Sequence, residues 1–212
     1  MEQELPSTSG TDAAAVDPGA AGLTDEEAAV RRAAFRSIRR GVARDAAELA
    51  EGTGLDGRTV EEAMRSLVRK GEAVVDASGQ IVGSAGLSLV PAGHRLRLEE
   101  EEFHTWCAMD AVGIPAALGI DALARTACPT CWRPIEVVFR EGRATDSREF
   151  RAWLPRQDCC TSVVDEVCPD MNLFCSEGHL KEWRRRAGDP VGVVLSLRET
   201  EELGRRWWGD LA

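Results

Sequence analysis

The sequence predicts an α+β protein: an N-terminal winged-helix-like helical module, then a larger mixed domain of strands and helices. Three observations predict it. Between Thr24 and Lys70, apolar residues recur at helical spacing in three runs with start and stop signals. EAVVDASGQIVG then reads as two short strands around the turn Ala77-Ser78-Gly79. Further on, apolar runs such as IEVVFR and VGVVLSLRE read as buried strands, interleaved with helical stretches. The expected organisation is a tail over 1–22, the winged-helix-like module over 23–83 and the mixed domain over 84–212.

Taken in order, MEQELPSTSGTDAAAVDPGAAG is small, polar, acidic and without periodicity, so disorder is expected. Thr24 with Glu27 forms a capping box for the first helix, whose Val30, Ala34 and Ile38 share a face and which Gly41 stops. A shorter helix follows in ARDAAELAEGTG, ended by Gly52 or Gly54. The third spans about Gly57 to Lys70, with Val60, Met64, Leu67 and Val68 on one face. Residues 84–103 read as strands, with Glu99 to Glu102 as a solvated turn or edge. AVGIPAALGI is either a helix that Pro115 interrupts or a turn. MNLFCSEGHLKEWRRRAG reads as a strand entering a helix, and RETEELGRRWWGDL as a final helix.

Three helices and a hairpin invite a DNA-binding reading. Between Asp25 and Asp76, however, stand 10 Lys/Arg against 11 Asp/Glu, and the whole chain carries a formal charge of −10 over 212 residues. A phosphate backbone requires a clustered basic face, so DNA is not an expected partner. No apolar run approaches the roughly 20 residues of a membrane span, and the N-terminus has no basic start or apolar centre of a signal peptide. The expected location is cytoplasmic, with no membrane partner. There is no P-loop, GxGxxG, GxSxG or HExxH.

The seven cysteines, Cys107, Cys128, Cys131, Cys159, Cys160, Cys168 and Cys175, all lie in the second half. In a reducing compartment such a cluster binds metal or does chemistry more readily than it forms disulfides. In HTWCAMD, Cys107 and Asp110 stand three residues apart, one helical face if a helix opens there. Two readings are open: a buried thiol acting as a small hydrophobe, or a soft metal ligand beside a carboxyl that moves a proton. Cys128 and Cys131 have zinc-knuckle spacing, and Cys175 and His179 in FCSEGH supply a second half, together a closed Cys3His site for structural zinc. The pairing also looks like small zinc-binding domains whose second half reads FCSxxC. A reduced CxxC or a redox dithiol is the alternative. Adjacent Cys159 and Cys160 point apart in an extended chain, so both serving one metal would be unusual. Pro169 disfavours helix at Cys168, which places it at a strand or loop edge. His94 and His104 are read as surface or satisfied core residues, and Trp207-Trp208 as packing.

The stretch HRL…TWCAMDAVGIPAALG resembles the hallmark of the organomercurial (alkylmercury) lyases, which reads close to R-L-Y-x-W-C-A-L-D-x-L-x-F-P-A-L-I-G. VCPDMNLFCSEGHLKEW is similar to that family's second cysteine region, with Leu173-Phe174, Ser176 and Trp183 in register. The resemblance covers roughly residues 24–197. It implies an alkylmercury-lyase-type catalytic domain in which Cys107 and Cys168 are catalytic and bind mercury, Asp110 is the catalytic aspartate and Cys128 is structural. It further implies cleavage of R-Hg-X to a hydrocarbon and Hg(II), no cofactor beyond excess thiol, and handover of Hg(II) to mercuric reductase. The chain departs from the family in two places. Cys159 and Cys160 sit eight residues before Cys168, as rival or accessory thiols. Cys131, Cys175 and His179 are additional, the mark of a divergent branch carrying Zn2+. Two other functions compete: a winged-helix regulator that senses metal, and a lyase-like protein acting on a substrate without mercury.

Overall fold

The computed structural model describes residues 22–145, 149–156 and 162–211. Helices α1 (Asp25–Ile38), α2 (Ala46–Thr53) and α3 (Gly57–Arg69) come first. Their limits are set locally. Thr24 and Asp45 close capping boxes with Glu27 and Glu48, Asp56 caps α3, and Gly54 ends α2 in the left-handed conformation. Val60, Met64 and Leu67 are buried along α3, whereas Val68 turns 38% exposed and does not belong to the packed face.

The hairpin follows as β1 (Ala73–Val75) and β2 (Ile81–Ser84). It does not stand apart as a wing. β2 pairs onward with β3 (Leu87–Ser88), and the sheet continues through β5 (Glu101–Thr105), β4 (His94–Leu98), β6 (Ala122–Ala127), β7 (Pro134–Arg140) and β8 (Arg143–Ala144). Every pairing is antiparallel. In β7 exposed and buried residues alternate strictly, with Ile135, Val137 and Phe139 turned inward. Its IEVVFR is therefore buried on one face only. A second, three-stranded sheet runs β10 (Asn172–Phe174), β9 (Arg151–Pro155), β11 (Gly192–Ser196). The expected strand VGVVLSLRE stops at Ser196. That serine accepts from the Glu199 N–H and opens α6 (Leu197–Trp207).

Helix α4 (Ala108–Leu118) is the centre of the molecule. One side lies on the large sheet, and the other packs on α6. Nine of its residues, Ala108 to Ala116, are buried. Pro115 does not break it, and Gly119 ends it at φ +66. The close α4–α6 crossing rests on Gly113 and Gly204: a Cβ on Gly204 would collide with the Gly113 backbone, and one on Gly113 would collide with the Trp208 ring. Helix α5 (Glu177–Arg186) closes the small sheet through Phe174, Trp153 and Trp183, with ring centroids 5.4 and 5.9 Å from Trp183. No helix among the described residues is long and apolar enough to cross a membrane.

Candidate active site

Cys107 ends the β5 connection as the N-cap of α4, with extended backbone at φ −138, ψ 171. Asp110 is the third helical residue and turns back, so that its Oδ2 accepts the Cys107 N–H at 2.8 Å. A carboxyl at this position satisfies an N–H that the helix cannot. The spacing of three is thus a helix-start geometry, and it brings the carboxyl to the thiol that begins the helix.

Cys168 arrives from 61 residues away in sequence. It opens a 3-10 turn, Cys168–Asp170, directly after a π-helical turn, Val163–Val167. Its backbone is right-handed helical (φ −56, ψ −38), not the strand or loop edge that Pro169 suggested. Proline lacks an N–H that the first turn does not use, and the Cys168 N–H bonds to the Val163 carbonyl, which holds the conformation. The turn is then tied to α4: Ala108 N–H donates to the Met171 carbonyl at 3.2 Å, and Met171 N–H to the Cys168 carbonyl at 3.1 Å. Its other side docks on the N-terminal module, where Val163 N–H donates to the Lys70 carbonyl at 2.9 Å.

The outcome is a buried triad. One ligand atom each from Cys107, Asp110 and Cys168 lies within 4.8 Å of the others. Cys107 also points its Sγ at the Met171 thioether, 3.6 Å away. A small cavity of ≈ 30 Å³ adjoins the triad, edged by Trp106, Trp207, Trp208, Gly86 and the Arg31–Glu72 pair. A larger open hollow between α1 and α2, lined by Arg32, Arg36, Arg40 and Glu48 among others, has no thiol in its lining.

Burial governs the protonation of the triad. It drives the Cys107 thiol well above its ordinary range, with the hydrogen bond to Cys168 and the Asp110 charge acting the same way. At Cys168 the hydrogen bond with Cys107 lowers the value, but burial and the charges of Asp110, Glu72 and Asp165 outweigh it, and the thiol ends raised. Burial lifts Asp110 to about 7, against hydrogen bonds from Cys107 and Trp106 and the Arg31 charge, which pull down. The Asp110 carboxyl can therefore take or give a proton near neutral pH.

The other predicted residues fall elsewhere. Cys128, Cys131, Cys175 and His179 form a second cluster. Cys159 and Cys160 lie outside the described residues. His94 Nδ1 pairs with Thr126 Oγ1 at 2.6 Å, and burial lowers its pKa to about 4. His104 Nδ1 is buried with no hydrogen-bond partner. Trp207 and Trp208 are buried as packing requires, and they also edge the cavity. Sequence reasoning missed Arg31, Glu72, Gly86 and Met171. For Gly86 the signal was present in SAGLS, a two-residue turn between short strands.

Comparison with known proteins gives the arrangement a context. The family model described as alkylmercury lyase (MerB) matches residues 87–209. An alkylmercury lyase of Bacillus cereus is 26% identical over 151 residues, covering 70% of this chain and 68% of that protein. One from Streptomyces lividans is 26% identical over 150 residues, with the same coverage. Among solved structures, the "Crystal structure of the mercury-bound form of MerB2" matches with a TM-score of 0.83 at 25% identity, over 90% of this chain and 93% of that one. The family match spans more than half of the sequence and contains all three residues of the triad, so the chain belongs to the alkylmercury lyase family of enzymes.

Proposed function

We propose that the protein is an organomercurial lyase that cleaves the carbon–mercury bond of R-Hg-X by protonolysis, with Cys107 and Cys168 as mercury ligands and Asp110 as proton carrier. The observation that carries the reading is the buried convergence of two thiols and one carboxyl within 4.8 Å, in a member of this family.

The chemistry follows from the groups. Mercury(II) is very soft, and thiolates outcompete oxygen and nitrogen ligands for it. Both thiols are held protonated in the free site. Cys107 displaces X from R-Hg-X, and its proton leaves with X. Cys168 then binds the same mercury and passes its proton to the Asp110 carboxylate. With two sulfurs on the metal, electron density shifts onto the attached carbon. That carbon takes the proton from Asp110, the C–Hg bond breaks, and R-H departs. The carboxylate is regenerated, and Hg(II) remains bridged by two thiolates. In total, one R-Hg-X and two thiols give R-H, HX and a mercury dithiolate. Excess small thiol exchanges the Hg(II) away, for delivery to an acceptor such as mercuric reductase; no other cofactor takes part. Trp106, Trp207 and Trp208 supply an apolar wall for the organic group. Half-exposed Trp106 lies at the edge of the cavity of ≈ 30 Å³, between the triad and solvent.

The test is benzene release from phenylmercury with excess thiol. Wild type turns over, whereas Cys107→Ser, Cys168→Ser and Asp110→Ala lose activity while keeping a cooperative thermal transition. Full activity in any of the three sinks the assignment for that residue. Absence of benzene from the wild type, with mercury tightly held, sinks the lyase reading itself.

A further inference from the structure

The second cluster belongs to none of this chemistry. Its four residues come from two distant hairpin and helix junctions. Cys128 follows β6, and its N–H donates to the Arg133 carbonyl at 3.0 Å, while Trp132 N–H returns to the Cys128 carbonyl at 2.8 Å. This tight turn requires Trp132 at φ +60 and leaves its ring 76% exposed. It presents Cys128 and Cys131 on one side. Opposite, Cys175 leaves β10, and Ser176 caps α5 by accepting the His179 N–H at 3.2 Å. That cap sets His179 one turn into the helix, with Nδ1 facing back to the Cys175 Sγ at 2.9 Å. Thr130 Oγ1 donates to the His179 carbonyl at 2.7 Å and locks the two halves together.

The ligand atoms close on one point. Cys131 and Cys175 sulfurs are 3.6 Å apart, Cys128 Sγ lies 3.9 Å from His179 Nδ1, and all four atoms fall within 4.8 Å of one another. A tetrahedron with Zn–S near 2.3 Å and Zn–N near 2.0–2.1 Å has S···S edges of about 3.8 Å and S···N edges of about 3.5 Å. A disulfide does not account for the cluster: a 3.6 Å separation is far from a bond of about 2.0 Å. Nor is a CxxC dithiol alone sufficient, since it leaves the convergent Cys175 and His179 unexplained.

We propose that Cys128, Cys131, Cys175 and His179 bind one Zn2+ as a closed Cys3His structural site. Four protein ligands leave no coordination position open for substrate. The metal joins the β6–β7 turn to the β10–α5 junction, and Cys175 lies seven residues after Cys168. It therefore anchors the chain that carries the second thiol of the triad. This site stands independently of what the triad acts on.

The experiment is metal analysis and zinc X-ray absorption on the full-length protein, purified under reducing conditions and supplied with Zn2+ alone. The expected result is one zinc per chain, with three sulfurs near 2.3 Å and one nitrogen near 2.0–2.1 Å. Cys131→Ser and His179→Ala should each lower zinc affinity at least tenfold. A Cys107→Ser/Cys168→Ser protein should keep its zinc. The absorption spectrum needs no variant, so misfolding of a substituted chain does not blunt the test. Zinc that is absent, held by oxygen ligands, or lost with the Cys107/Cys168 replacement would overturn the proposal.

Discussion

Gly86 faces the carboxyl of Asp110 so closely that a Cβ built on it would lie 2.5 Å from Asp110 Cγ and Oδ1. Ala85 and Gly86 are the two central residues of the β2–β3 turn, at φ 50 and 88. Positive φ at both suits the right-handed twist of a two-residue hairpin. The same turn accepts the Trp208 Nε1–H on the Ala85 carbonyl at 2.8 Å and the Trp106 N–H on the Gly86 carbonyl at 3.2 Å. The turn is therefore one wall of the triad, and its missing side chain is the space that the carboxyl fills.

Gly86→Ala should impair turnover more than stability. The left-handed backbone costs an L-residue about 1–2 kcal/mol, a modest loss for a domain of this size. The methyl group, however, must push Asp110 away from the thiols. Expected are a drop in phenylmercury turnover of at least tenfold and retention of tight Hg(II) binding, read by single-turnover kinetics and mercury titration. An unchanged turnover number would show that Asp110 need not stand where it does.

The pH dependence of stability should carry the signature of Asp110. Its folded pKa, raised to about 7, lies above the ordinary carboxyl value of 3.8. Between those values the folded protein keeps a proton that the unfolded chain releases, so this group's contribution falls as pH rises from about 4 to 7 and is level beyond. Asp110→Asn cannot ionise. The variant should gain stability relative to wild type across that window, by up to about 4 kcal/mol at full linkage. Urea unfolding at pH 5 and pH 7.5 measures the difference; equal gaps at both would place the Asp110 pKa near its ordinary value. Turnover should rise with pH through about 7, because the proposed mechanism starts from the carboxylate.

Local chemistry was legible in the sequence, and long-range chemistry only in part. Thr24, Asp45 and the glycine stops set helix ends within a few residues, so α1 to α3 could be read directly. Cys107 and Asp110 share one helix start and could be paired by spacing alone. Cys168 was found through its register with Leu173-Phe174 and Trp183, but its helical backbone depends on the Val163 carbonyl, which spacing does not reveal. Arg31, Glu72 and Gly86 reach the cavity from 24 to 79 residues away from Asp110. Arg31 and Glu72 have no local pattern that announces them, and the SAGLS turn marks Gly86 as a turn residue without pointing to Asp110. Strand β9, RAWLP, is short and ends in proline, so only its pairing with β10 and β11 makes it a strand.

Loss of Arg31 should be costly in the N-terminal module. Its Nε sits 2.7 Å from Glu72 Oε2, with the two side chains 5% and 3% exposed. Removing one partner of a buried ion pair typically costs about 3–5 kcal/mol. Arg31→Met should lower stability by that amount in urea unfolding. It should also move the low-pH limb of turnover upward, since the Arg31 charge helps to hold the Asp110 pKa down. A stability loss with an unmoved limb would confine Arg31 to a packing role.

The Gly113–Gly204 crossing joins packing to the cavity wall. A Cβ on Gly113 would collide with the Trp208 ring and approach the Gly204 Cα to 3.0 Å. Trp208 cannot retreat freely: its Nε1–H is bonded to the Ala85 carbonyl, in the turn that faces Asp110. Overpacking here should cost about 1–3 kcal/mol, and the displaced indole should pull on the Ala85-Gly86 turn. Gly113→Ala is thus expected to lower both the unfolding midpoint and phenylmercury turnover. Trp208→Phe removes the hydrogen bond while keeping an aromatic ring. Combined with Gly113→Ala it should restore part of the lost stability, because the smaller ring makes room for the methyl group. Additive losses in the double variant would mean that the strain is taken up by the α4–α6 backbone and does not pass through Trp208.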